Sequence, residues 1–150
     1  MPVYCDGRVC GGSGGGSGSS ETMTASLVNK TGAPSVIGTV IRAHTAISGA
    51  FDISPVGGDH AIGVVVEAGV ADGSACRVAI GGRAQVLLQN GTASTAGNWV
   101  RTALGAAGRA DATAAATPGF GATHFNEIGH CLETVGAGVD KLAWVALHFN

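Results

Sequence analysis

The residues with chemical potential in this chain are its histidines, its cysteines and a few spaced carboxylates. His124, His130 and His148 fall in apolar, strand-like stretches near the C-terminal end, with Cys131 directly after His130. Imidazole nitrogens and a thiolate could ligand zinc, but alternation along a strand sends His130 and Cys131 to opposite faces. They could share one ion only across a bulge. The ordinary reading is histidines hydrogen-bonded or exposed at strand ends. Asp59-His60 holds two members of a catalytic triad, yet adjacency in sequence is not the geometry a triad needs. Glu67 and Glu133 could be paired for acid/base work. They occupy equivalent strand-to-turn positions, where a solvated carboxylate is the common case.

Cys5 and Cys10 have the spacing of half a zinc site, and no second Cys or His pair with ligand spacing follows. The Asp6-Gly7 turn between them predicts a small hairpin pairing Cys5 with Arg8 and Val3 with Cys10. In that register the thiols are diagonal neighbours, roughly 7 Å apart at Cβ, where a disulfide needs about 4 Å. Cys76 and Cys131 read as buried free thiols. There is no Gly-x-Ser-x-Gly, no phosphate-binding loop and no His-Glu-x-x-His. The expectation is a protein with no catalytic residues, no cofactor and no metal.

The elements that must position these groups follow from composition. The chain has 150 residues, 26 of them glycine, only 12% charged and a formal charge of -2. An ordinary domain is roughly a quarter charged and about 7% glycine, so coiled coils and charge-rich disordered chains are excluded. Two lysines, Lys30 and Lys141, and six scattered arginines make no stripe that could neutralise a phosphate backbone, which argues against direct nucleic-acid binding. Aromatics supply only 5% of the residues, so the core must be Val, Ile, Leu and Ala. No apolar run approaches the roughly 20 residues of a membrane-spanning helix. Met1 to Arg8 lacks the apolar region of an export signal, so synthesis and retention in the cytoplasm are expected.

Residues Gly11 to Ser20 are glycine and serine alone, a tether that can bury nothing. It divides residues 1–24, an N-terminal arm, from residues 25–150, a β-rich domain. Period-two patterning with turn punctuation predicts strands from Val36 to Ala43, near Ile47 to Phe51, at Ile62 to Glu67, at Cys76 to Ile80 and at Ala84 to Leu88. Further strands are expected at Trp99 to Thr102, at Thr123 to Leu132 and at Ala143 to Phe149. Gly81-Gly82 reads as a two-residue hairpin turn, with Cys76, Val78 and Ile80 sharing one face before it. Ala103 to Ala107 and Ala112 to Ala116 read as loop or short turn.

One internal repeat stands out. Ile62-Gly63 with Glu67 returns as Ile128-Gly129 with Glu133, and Arg77-Val78-Ala79-Ile80 returns as Trp144-Val145-Ala146-Leu147. The fold expected is all-β, a compact small barrel or sandwich of short antiparallel strands with an internal hairpin repeat, preceded by an extended N-terminal arm. Trp99, Trp144, Phe120, Phe125 and Phe149 are the large anchors for core or subunit contact. Arg42, Arg77 and Arg83 could pair between subunits or shield strand edges.

From about Val36 onward the chain resembles the decoration, or cement, proteins of tailed-bacteriophage heads. The residues that carry the likeness are Ile62-Gly63-Val64-Val65-Val66-Glu67-Ala68-Gly69, the Asp72-Gly73 turn and Cys76-Arg77-Val78-Ala79-Ile80-Gly81-Gly82-Arg83-Ala84. Ala96-Gly97-Asn98-Trp99-Val100, Gly108-Arg109-Ala110-Asp111-Ala112-Thr113, Ile128-Gly129 and Val145-Ala146-Leu147 complete it. They span roughly three quarters of the chain, and the arm lies outside them. The resemblance implies a non-enzymatic virion protein, commonly a homotrimer, bound to the outer surface of the capsid. There it would cement neighbouring major capsid subunits against the pressure of packaged DNA. In this reading Val3, Tyr4, Arg8 and Val9 of the arm contact a capsid or decoration neighbour by strand addition, with the tether supplying avidity. A receptor- or glycan-binding β module and a small metallohydrolase are the rival readings.

Overall fold

The computed structural model describes residues 21–113 and 126–149, together with the backbone of residues 4–5 and 8–9. Tyr4–Cys5 (β1) and Arg8–Val9 (β2) form a hairpin that pairs Tyr4 with Val9 and Cys5 with Arg8. This is the register expected for an Asp-Gly turn; Val3, Cys10 and the tether lie outside the described residues. The remaining strands are Thr22–Asn29 (β3), Val40–Ala43 (β4), Ala50–Ile53 (β5), Ala61–Val65 (β6) and Ala75–Leu87 (β7). They continue with Trp99–Thr102 (β8), Ala110–Thr113 (β9), Glu127–Cys131 (β10) and Leu142–Leu147 (β11). No helix occurs among the described residues.

The nine long-range strands run in the order β3-β5-β4-β6-β7-β11-β10-β8-β9, and β3 also pairs with β7. That extra pairing closes β3, β5, β4, β6 and β7 into a five-stranded barrel. Closure removes the open edges that a small sheet would otherwise present. Most pairings are antiparallel, but β3 meets β5 in parallel through Val28↔Ala50 and Asn29↔Phe51. The other strands repeat the circuit. The second half of β7 pairs with β11, then β10, β8 and β9 follow, and a parallel bridge Leu88↔Ala110 returns to the chain just beyond β7.

The repeat seen in the sequence is therefore larger than one hairpin. Gly38 N donates to Val65 O and Val65 N to Thr39 O in the first barrel; Gly97 N donates to Cys131 O and Cys131 N to Asn98 O in the second. Ser35 Oγ donates to Glu67 O, and Ser94 Oγ to Glu133 O. Gly63 and Gly129 stand at the same place for the same reason. A Cβ on Gly63 would lie 2.7 Å from Ala79 O, and one on Gly129 would collide with Ala146 O. Only glycine lets the two strands approach so closely.

Two expectations are corrected. Gly81-Gly82 is no hairpin turn, because β7 runs without reversal from one barrel into the next. Met23 pairs with Gly81 and Thr24 with Ala79, so Ile80 is an unpaired bulge residue that turns outward and is 42% exposed. Its expected face-mates Cys76 and Val78 are buried. The alanine-rich stretch after Gly108 is also not all loop: residues 110–113 are β9, held to β8 by four paired residues. Thr123 to Phe125, part of one expected strand, lies outside the described residues.

Alternation explains where the cores sit. Ile41, Phe51, Val65, Cys76 and Val78 fill the first barrel, with Ala25 and Leu27 of β3 against them. Ala84, Val86, Val100, Ala110, Ile128, Cys131 and Val145 form the second cluster. Val40, Val64 and Ala79, which point out of the first barrel, pack into that second cluster and so join the two. Backbone bonds reinforce the seam, with Val40 N donating to Gly108 O, Gly57 N to Ala103 O and Leu87 N to Gly38 O.

Candidate partner-binding surface

The arm joins the barrels at a defined point. Arg83 N donates to Glu21 O at 2.7 Å, the Arg83 guanidinium pairs with the Glu21 carboxylate at 3.0 Å, and Thr22 Oγ1 donates to Arg83 O. The same guanidinium lies 4.3 Å from the centre of the Trp144 ring, a cation–π contact that holds the indole in place. Trp144 in turn lines a groove of about 290 Å³ with Thr22, Thr24, Ile37, Arg77 and Gln85. The arm thus leaves the domain beside an aromatic groove where β3, β7 and β11 meet.

Apolar side chains are exposed nearby and elsewhere. Met23, paired with Gly81 across β3 and β7, and the bulged Ile80 next to Gly81 are both exposed. Val56 and Leu104 lie on adjoining loops, with Leu104 Cδ2 over Gly57. Val36 borders a wider groove of about 530 Å³ with Leu87, Leu142 and the Arg109–Asp140 ion pair. Scattered apolar residues are normal on a surface. Met23 and Ile80 are the ones that lie close to Glu21, where the arm meets the barrels.

The predicted contact residues Tyr4, Arg8 and Val9 sit in the β1–β2 hairpin, and Val3 lies outside the described residues. The carboxylates considered for acid/base work have a different task. Glu67 Oε2 accepts the backbone N–H of Arg77 at 3.0 Å, and Glu133 Oε1 accepts that of Trp144 at 2.8 Å. Each clamps its hairpin rather than simply facing water, and the two lie in different barrels. Arg42, Arg77 and Arg83 all pair within the chain, with Asp52, Glu67 and Glu21. Asp59 and His60 form an exposed pair at 3.4 Å. His44 Nδ1 accepts the backbone N–H groups of Ala46 and Ile47, so it caps a turn. Cys76 and Cys131 are free and buried, and burial pushes both thiols above the usual range.

His130 and His148 do meet, as their positions suggested, whereas His124 lies outside the described residues. Their Nδ1 and Nε2 atoms are 2.8 Å apart, and the buried Glu127 carboxylate joins them, 3.2 Å from His148 Nε2. Sequence reasoning missed Glu127, because residues three apart on a regular strand face opposite ways. It also missed Glu21 and the Arg83–Trp144 stack at the root of the arm.

No family model and no curated protein sequence matches the chain. Among solved structures, the chain is similar to the N base of the head fiber gp8.5 of bacteriophage phi29, at a TM-score of 0.52 and 17% identity. The match covers 84% of this chain and 95% of that one, so the two share their overall fold.

Proposed function

We propose that this chain is a structural, non-enzymatic protein of a phage virion, mounted on the outer surface of the head and holding neighbouring major capsid subunits together. The single observation that carries the reading is the fold shared with a head fiber base over nearly the whole of that chain. The chain's own features support it. Low charge suits a protein partner better than nucleic acid. The groove at Trp144 and the exposed Met23 and Ile80 lie around the root of the arm. A hairpin on a glycine-serine tether can reach a neighbouring subunit and add a strand to it, while the tether keeps its local concentration high. Self-association, as a trimer over capsid junctions, belongs to the same proposal.

The test is co-sedimentation with empty shells of a major capsid protein, comparing the full chain with a variant lacking residues 2–20. The full chain should pellet with shells, and the shortened one should stay folded by circular dichroism yet bind more weakly by about 100-fold or more, the lower range of avidity gains being about 10²-fold. Equal occupancy would remove the arm from the account, and no binding by either form would remove the capsid.

A further inference from the structure

We infer that Glu127, His130 and His148 bind one divalent transition-metal ion, with zinc the ion they fit best. The inference is independent of the capsid reading. Two imidazoles and one carboxylate are a borderline nitrogen–oxygen donor set of the kind zinc takes. One ligand atom from each residue lies within 4.8 Å of the others; His130 Nδ1 and Glu127 Oε1 are 2.8 and 3.2 Å from His148 Nε2. Ligands placed about 2.0–2.1 Å from a tetrahedral ion are roughly 3.3 Å apart, so small ring rotations bring all three onto one centre. A single imidazole nitrogen carries either a proton or a lone pair, yet His148 Nε2 faces both a carboxylate oxygen and a second imidazole nitrogen. A cation accepts all three lone pairs together.

The backbone builds the site. Glu127 pairs with Arg101 and Gly129 with Val100, which leaves Ile128 as a bulge and turns Glu127 and His130 to the same side of β10. His148 arrives from just beyond β11, its N–H bonded to Ile128 O. The His130 ring is set between the Trp99 ring, at 4.4 Å, and the His148 ring, at 4.9 Å. Glu127 is 4% exposed and His148 43%, so the cluster is anchored in the protein and open on one side. A fourth ligand position remains there for water or for a donor from a bound neighbour.

The repeat shows that the fold does not need polar groups here. By the Ile62-Gly63 and Ile128-Gly129 equivalence, the first barrel has a matching bulge between β4 and β6, with Ala61 where Glu127 stands and Val64 where His130 stands. Val64 and its pairing partner Val40, the counterparts of His130 and Trp99, are fully buried where they pack onto the second barrel. The second barrel carries its ligand set on the face that is a plain apolar seam in the first.

The experiment is titration of the 150-residue chain with zinc chloride by calorimetry and thermal melting, with magnesium chloride as control. One zinc per chain should bind and raise the melting temperature by several degrees, and magnesium should do neither. H148A should show no rise in melting temperature when zinc is added. It should bind zinc more weakly by over ~100-fold, exceeding the roughly 10- to 100-fold that outer-shell changes cost. A C5S/C10S variant should bind like the parent. Zinc binding that is absent, unchanged in H148A, or lost in C5S/C10S would overturn the inference. Should H148A not fold, cobalt(II) bound to the parent decides: visible bands without a thiolate charge-transfer band support the site, and a thiolate band or no bands refute it.

Discussion

Gly129 offers a sharp test of how the second barrel closes. It has φ +154°, and a Cβ there would meet the Ala146 carbonyl oxygen head-on and come within 2.9 Å of Val145 Cγ1. Neither neighbour can give way, since the first is backbone in β11 and the second is a buried core side chain. Gly129→Ala therefore combines backbone strain of about 1–3 kcal/mol with overpacking of about 1–3 kcal/mol. The expected loss is roughly 4 kcal/mol, a large share of the ~5–15 kcal/mol that domains possess. At about 2–4 °C per kcal/mol for a chain of this size, the melting temperature should fall by roughly 8–16 °C. Two other substitutions separate the causes. Gly73→Ala has φ +84° but open space around it, and should cost only about 1–2 kcal/mol. Gly136→Ala has neither a positive φ nor a neighbour within 4 Å and should stay within about 0.5 kcal/mol of the parent. Thermal and urea denaturation of the three variants measures the series. A Gly129→Ala protein that melts with Gly73→Ala would refute the claim that strand proximity forbids a side chain there.

Two further predictions concern titration. The Gly32 N–H, which donates to Asp72 Oδ1 at 2.9 Å, and secondarily Lys30 hold the Asp72 carboxyl below its usual range. A lowered folded-state value favours folding above the unfolded value and is lost as pH falls through the folded one, so Asp72→Asn should flatten the stability curve below about pH 4. An unchanged acid limb in denaturant melts would argue against this link. Burial raises Cys76 and Cys131, so both should resist a thiol reagent at neutral pH until the protein unfolds, and stability should decline as pH rises past the ordinary thiol value of 9.0. Rapid labelling of either thiol in the native protein would contradict their placement in the two cores.

The sequence was most legible where alternation and turn residues agree. The Ile-Gly strands, their Val-Ala partners and the β1–β2 register follow from period and from one Asp-Gly turn. What escaped has physical causes. β3 follows directly on a glycine-serine tract, and its Thr-Met-Thr-Ala-Ser start has little apolar contrast, so it reads as the end of the tether. β9 is Ala-Asp-Ala-Thr, a strand held by pairing with β8 rather than by propensity. Gly81-Gly82 marks a bulge in a long strand shared by two barrels, and a glycine pair reads alike in a turn and in a bulge. A bulge also hid Glu127 from His130. The repeat held the missing signal, because the Ile-Gly dipeptide recurs where each barrel bulges.

The central proposal, that the chain is a virion protein held on the outside of a phage head, is tested most directly by cryo-electron microscopy of major-capsid shells incubated with the 150-residue chain. The account predicts tandem-barrel density on the outer surface, with the root of the arm at Glu21, Arg83 and Trp144 facing the shell. Shells without added density, or barrels bound with that face turned to solvent, would contradict it.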